Sequence, residues 1–362
     1  MPTSPSRHCV FPPISGRTTA SSPRGLARAW RSPRPGSFAW AALVAGIVGG
    51  TGLVTSPAAA AASGALGGAG PAPGTIFVAD PGVVSGGNAL GPGFVSLYRP
   101  GASGHARPEV VVTKGMDGPG GIAVDSSGNL WVANESGDVV EYSRAELAKA
   151  SPAPTVTISP GGGGLAFDPS GNLWVANGSN VVEYSKAELA KSGSPTPVIT
   201  LEDDCSVAFD SSGDLWQGST ANTLAEWTKP QLAKPTKPAG VLLPKVTITS
   251  DSLNGPCKPA FDQGGDLWAG NYNTHLVAEF TKAQLAKTAT LAPEVVISSK
   301  QNGNPGDVAF DVSGDLWVPT QGLHSVVEYT TAQLAQSGSP VPRVTISTPV
   351  TPNGPWAVAV EP

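Results

Sequence analysis

Short apolar runs punctuated by turn residues recur along the chain, and five of them align without a gap: Ile122–Trp131 (IAVDSSGNLW), Leu165–Trp174 (LAFDPSGNLW), Val207–Trp216 (VAFDSSGDLW), Pro259–Trp268 (PAFDQGGDLW) and Val308–Trp317 (VAFDVSGDLW). Each reads as an apolar strand, a turn in which Asp caps the backbone and Gly takes the φ > 0 position, and a second strand opening on Leu-Trp. A third strand follows at Val139–Tyr142, Val181–Tyr184, Leu224–Trp227, Val277–Phe280 and Val326–Tyr329. After it comes a hydroxyl residue with Glu or Gln three positions on: Ser143/Glu146, Ser185/Glu188, Thr228/Gln231, Thr281/Gln284 and Thr330/Gln333. That capping box predicts a short helical turn. A Pro-rich bend then feeds a fourth strand at Thr155–Ile158, Val198–Leu201, Val246–Ile248, Val295–Ile297 and Val344–Ile346.

Four antiparallel strands make a blade. The repeat Asp residues, 125, 168, 210, 262 and 311, are 43, 42, 52 and 49 positions apart, which is the period of β-propeller blades. The two ends of the chain complete a sixth unit. Thr75–Asp80 matches the second strand with Phe77 in the Trp position, Val95–Tyr98 the third and Val110–Val112 the fourth, while Ala357–Glu361 supplies the missing inner strand. The expected fold is therefore all-β: a six-bladed propeller of four-stranded blades, its ring closed by the C-terminal strand in the N-terminal blade. Blade one spans 355–362 with 75–113, and blades two to six span 121–158, 163–201, 205–249, 257–298 and 306–347.

The unit A-[VF]-D-x-x-G-[ND]-L-W-V-A-[ND] … V-V-E-Y resembles the NHL-type repeat of six-bladed, TolB-like propellers, near the gluconolactonase/regucalcin-like superfamily. The resemblance covers residues 75–362, and the shared positions are turn and core residues. It implies two kinds of chemistry, since some NHL-type propellers are zinc-dependent lyases with channel histidines, and gluconolactonase-like enzymes hold a divalent cation with Glu, Asn and Asp in their inner-strand loops. The corresponding positions here are Gly121, Gly164, Ser206, Lys258, Asp307 and Ala357. Asp307, with Asn304 or Asn353 nearby, resembles such a ligand set.

Charge changes the picture at the N-terminus. Residues 1–62 hold six arginines, no lysine and no acid, followed by an apolar run from Phe38 to Val54 and small-residue A-x-A matches near Ala60–Ala62. This is the order of a secretory signal peptide, with a Gly/Ala/Pro linker at 63–74. The 17-residue apolar run contains Gly46, Gly49, Gly50 and Gly52, so no stable membrane span is expected. The whole chain carries a net charge of −5; without those arginines, 16 basic residues face 27 acidic ones, a net of −11. Such a surface repels nucleic acid and anionic lipid. A secreted or cell-envelope monomer is expected.

Candidate chemistry lies where the repeats differ. Five residues before the repeat Asp stand Gly120, Gly163 and Gly306 but also Cys205 and Cys257, equivalent positions in adjacent blades of an exported chain, which predicts a disulfide between them. Lys258 and Asp307 are placed to pair across the channel mouth, where Ser206 and Trp356 complete a candidate binding set. His275 and His324 occupy equivalent loops, each seven residues after the repeat Trp; with Asp307 they form a candidate transition-metal set, Zn or Ca being the cations considered. Glu202, Asp203, Asp204 and Asp251 form an acidic loop set with oxygen ligands suited to Ca²⁺. The repeated Glu141, Glu183, Glu226, Glu279 and Glu328 alternate with apolar residues and are expected to face water or a nearby Lys.

No P-loop, Rossmann fingerprint or nucleophile elbow occurs. The sequence predicts an exported, non-enzymatic module that binds a protein or glycan through its loop face. The alternative is a metal-dependent lactonase, hydrolase or lyase working in the central channel.

Overall fold

The computed structural model describes residues 69–362 apart from 83, 86, 87, 90, 91, 178, 179, 202–205, 220, 234–241, 299 and 350. Six four-stranded antiparallel sheets stand around a central axis, and Ala289–Thr290 adds a fifth strand to one of them. This is the six-bladed propeller that the repeat predicts. In blade one the order is Ala357–Val360, Ile76–Asp80, Phe94–Tyr98, Val110–Val112. The last strand of the chain pairs with the first, Ile76 opposite Val360 and Ala79 opposite Ala357.

The turn chemistry explains the six-residue spacing of Asp and Trp. In blade two, Asp125 Oδ1 accepts the N–H groups of Ser127 and Asn129, and its Oδ2 accepts the indole N–H of Trp131 at 3.0 Å. One carboxylate thus fixes both the hairpin and the ring. The Trp268 and Trp317 indoles donate to Asp262 and Asp311 in the same way. Each indole then meets the Phe of the next blade's inner strand: Trp131 with Phe167, Trp174 with Phe209, Trp216 with Phe261 and Trp268 with Phe310, centroids 5.6–6.2 Å apart and steeply inclined. Edge contacts of this kind add about 0.5–1.5 kcal/mol to the area buried. Where blade one follows blade six, Trp317 packs with Ile76, Val78 and Val358 instead.

The capping boxes form as expected. Thr228 and Thr330 open helical turns at Lys229–Leu232 and Thr331–Leu334 with both reciprocal bonds present, and Ser143 caps Arg144–Leu147. In blades three and five the turn is 3₁₀, at Glu188–Ala190 and Gln284–Ala286. The middle Asn or Asp of each hairpin turn reaches the first N–H of this helical turn: Asn129 to Arg144, Asn172 to Lys186, Asp214 to Lys229, Asp266 to Lys282 and Asp315 to Thr331.

A belt links the blades at their outer edges. Residues between one blade's third and fourth strands bridge in parallel to the fourth strand of the preceding blade: Gly193 to Ile158, Ala289 to Ile248, Gly338 to Ile297 and Gly104 to Ile346. Ser192 and Ser337 side chains accept the N–H groups of Thr157 and Val296. The belt covers strand edges that would otherwise be open to pairing with another chain. Its Gly104–Ile346 link closes the ring a second time.

One expectation needs correction. The repeated Glu does not face water: Glu183, Glu226, Glu279 and Glu328 are buried, and Glu141 is half-buried. Each stands directly opposite the repeat Trp across the strand pair, Trp174 to Glu183 for instance, and so shares its face. Alternation implies a wet face only where one side of a sheet is exposed, and in a propeller both sides of a blade are covered by its neighbours.

Candidate functional site

The inner strands begin at the channel mouth, and their first residues surround a cavity of about 60 Å³ lined by Gly120, Gly121, Gly163, Gly164, Gly306, Ser206, Cys257, Lys258, Asp307, Glu135 and Trp356. The glycines permit close packing of neighbouring inner strands. A Cβ on Gly164 would lie 1.7 Å from Ser206 Oγ. In blade five an extra residue enters between Pro256 and Pro259, where Pro256 pairs with Asn271 and Pro259 with Ala269, and such bulges redirect side chains.

Lys258 extends from this bulge across the channel. Its Nζ lies 3.3 Å from Asp307 Oδ2 in blade six and donates to the Ile122 carbonyl in blade two at 3.1 Å. Asp307 Oδ2 also accepts the Val358 N–H of blade one. A single buried ion pair therefore ties together four of the six blades. Burial raises the Asp307 carboxyl above its ordinary value, and the Lys258 charge pulls it back. Beside them, burial pushes the Glu135 carboxyl up to about 7, and its Oε2 has no hydrogen-bond partner. A cavity of this size holds a few waters or a small ion. A sugar-sized substrate would require Lys258 to move.

The predicted Lys258–Asp307 pair is thus formed, with Ser206 and Trp356 lining the same cavity. Cys257 is buried in its wall; Cys205, its predicted disulfide partner, lies outside the described residues, as do Glu202, Asp203 and Asp204 of the acidic loop. Asp251 is exposed. His275 and His324 both adopt left-handed backbone, φ 59° and 48°. His275 Nδ1 accepts the N–H of Asn304, and His324 Nδ1 is buried without a partner. Among the described residues, the sets of three potential metal ligands with atoms within 4.8 Å of one another are Asp262, Asp266, Glu279 and Asp311, Asp315, Glu328. Neither includes a histidine.

The residues closing the second strands act as side-chain caps, as their polarity suggests. Asn134 accepts the Asp117 N–H, Asn271 the Asn254 N–H and Ser219 the Ala221 N–H. Asp80, fully buried, accepts from Gly82 N–H and Thr351 Oγ1, and burial outweighs these bonds to raise its carboxyl to about 7. Two features are not predicted from the sequence: Glu135 at the mouth, whose signal is an acid directly after the capping Asn134, and the carboxylate sets of blades five and six, whose members belong separately to turns and to strands.

No protein-family profile matches the chain. No curated protein matches it either. Among solved structures, the chain is similar to virginiamycin B lyase from Staphylococcus aureus, with 12% identity, 81% of this chain and 92% of that one covered and a TM-score of 0.45. It is similar to a streptogramin B lyase at 12% identity, covering 64% and 70%, TM-score 0.43. A third similarity is to the extracellular domain of a hybrid two-component system from B. thetaiotaomicron, at 15% identity and TM-score 0.44, covering 63% of this chain and 30% of that one.

Proposed function

We propose that this propeller is an exported binding module that engages a protein or glycan through the face carrying the channel mouth, without turning its ligand over. The observation that carries the reading is the Lys258 strut. It spans the channel from Asp307 to Ile122 and leaves a cavity too small for an organic substrate, so that contact with a partner falls to the rim around Glu135 and Trp356 and to the loops of His275 and His324. Rigid scaffolds with variable loops suit this task. Among the described residues no helix is long and apolar enough to cross a membrane, and the leader-like residues 1–62 support export.

Calorimetric titration of neutral oligosaccharides and of basic and acidic test proteins is the direct assay. Binding that weakens tenfold or more in Glu135→Gln or Trp356→Phe, and is unchanged in Lys186→Ala on the opposite face, supports the proposal. Turnover of a lactone in the presence of Ca²⁺ or Zn²⁺ overturns it.

A further inference from the structure

The five Asp/Trp blades build the same polar corner from the turn Asp, the middle Asn or Asp, the third-strand Glu, and the residue whose backbone N–H donates to that Glu's carbonyl: Thr155, Val198, Lys245, Glu294 and Arg343. In four blades a side-chain donor or a basic residue serves the corner. In blade two, Asn129 Nδ2 donates to Asp125, and Thr155 Oγ1 donates to Glu141. In blade three, Asn172 Nδ2 donates to both Asp168 and Glu183, at 3.0 and 2.8 Å. In blade four, three acids have the Lys245 charge, which acts on Glu226. In blade six, Arg343 forms ion pairs with both Asp315 and Glu328.

Blade five lacks any such balance. Its corner is Asp262, Asp266 and Glu279, their oxygens within 4.8 Å of one another, and the compensating position holds a fourth acid, Glu294. Glu279 is 8% exposed, and among the described residues no donor reaches its carboxylate. Asp262 Oδ2 accepts the Trp268 indole N–H at 3.2 Å, and Asp266 Oδ1 the Lys282 N–H at 2.7 Å. Lys282 lays its side chain along Gly265 and makes no ion pair with the three acids. A groove of about 300 Å³ between blades five and six reaches Asp262 and Glu279 from solvent.

We propose that blade five holds a divalent cation, Ca²⁺ by its oxygen-only donors, on Asp262, Asp266 and Glu279. The ion takes the place that the Arg343 guanidinium fills in blade six. Three carboxylates with water completing the shell suit a hard cation that accepts six to eight oxygens in flexible geometry, and a buried, unpaired carboxylate is costly without a cation.

The test is calorimetric titration and thermal melting of the full-length chain, stripped with EDTA and dialysed, against CaCl₂ and, separately, MgCl₂. The expected result is one Ca²⁺ per chain, binding more tightly than Mg²⁺, and a rise in Tm of about 5 °C at a hundredfold excess over Kd. Glu279→Gln should weaken Ca²⁺ binding at least tenfold. Glu294→Arg, which copies the blade-six corner, should abolish it while melting at or above the calcium-free parent. Glu294→Arg leaves the three acids in place and so decides the assignment even where Glu279→Gln does not fold. A parent chain that takes up no Ca²⁺, or a Glu294→Arg chain that binds Ca²⁺ as the parent does, overturns the assignment; the latter result would place the ion elsewhere.

Discussion

Replacing Lys258 by Met tests whether the channel strut holds the ring. Methionine keeps most of the aliphatic stem, so the perturbation is largely electrostatic. It leaves the Asp307 carboxylate, 2% exposed, without its cation, and removing one partner of a buried pair costs about 3–5 kcal/mol. For a domain of this size that corresponds to a fall in Tm of roughly 5–10 °C. The loss depends on pH, with a definite sign. Burial already holds the Asp307 carboxyl above its ordinary value of 3.8, and without Lys258 it rises further. The folded variant then keeps a proton that the unfolded chain gives up above about pH 4, so its stability falls as pH rises from there through the folded-state value. The deficit against the parent is therefore widest at pH 8 and narrows at pH 5. Urea unfolding followed by tryptophan fluorescence at both values is the assay. Adding Asp307→Asn should recover all but about 1 kcal/mol, since the amide oxygen can still accept the Val358 N–H. A Lys258→Met chain within about 0.5 kcal/mol of the parent at pH 8, or a double variant no more stable than the single one, refutes the strut.

Deleting residues 355–362 removes the innermost strand of blade one, with Ala357, Val358 and Ala359 all buried, and calorimetry should show loss of the cooperative transition even though the Gly104–Ile346 link remains. Asp80→Asn addresses a carboxyl raised to about 7 by burial: the parent should lose stability as pH rises from about 4 through 7, and the variant should be flatter across that range and more stable at pH 8 by roughly 2–4 kcal/mol. Trp131→Ala forfeits the Phe167 edge contact and the bond to Asp125 and should cost about 3–5 kcal/mol, whereas Trp131→Phe, which keeps an aromatic ring, should cost roughly 1–2 kcal/mol; denaturant melts distinguish them.

The blade architecture was legible because two independent demands repeat together. Asp125 satisfies its turn and its indole at once, so the Asp-to-Trp spacing carries both the hairpin and the core contact, and a period set by both is difficult to misread. The C-terminal strand was legible by subtraction, as the single element missing from blade one. The belt was not, because a parallel bridge of one or two residues, such as Gly193 to Ile158, has no periodicity of its own. The repeated Glu was misplaced for a different reason: alternation reports that two faces differ and does not say what covers each. The pairing of Lys258 with Asp307 followed from their equivalent positions in adjacent blades, but its reach to Ile122 spans the ring and 136 residues of sequence, a contact that only the closed structure creates.

A repeat protein offers an internal control that a single-copy fold lacks. Every blade must solve the same structural problem, so residues needed for the solution recur, and a departure is informative when the neighbouring blades show what it replaced. Gly121 and Gly164 give way to Ser206, Lys258 and Asp307 around the channel, and the consequence is a closed mouth instead of an open bore. Thr155, Val198, Lys245 and Arg343 give way to Glu294 at the blade-five corner, and the consequence is a set of three carboxylates, two half-buried and one buried, with no basic side chain paired to it among the described residues. The first departure compensates itself, because its charges arrive as a pair. The second adds negative charge where blade six places a guanidinium, and a corner that is served by Asn and Thr donors in blades two and three and by a cation in blade six is expected to draw its cation from solution in blade five.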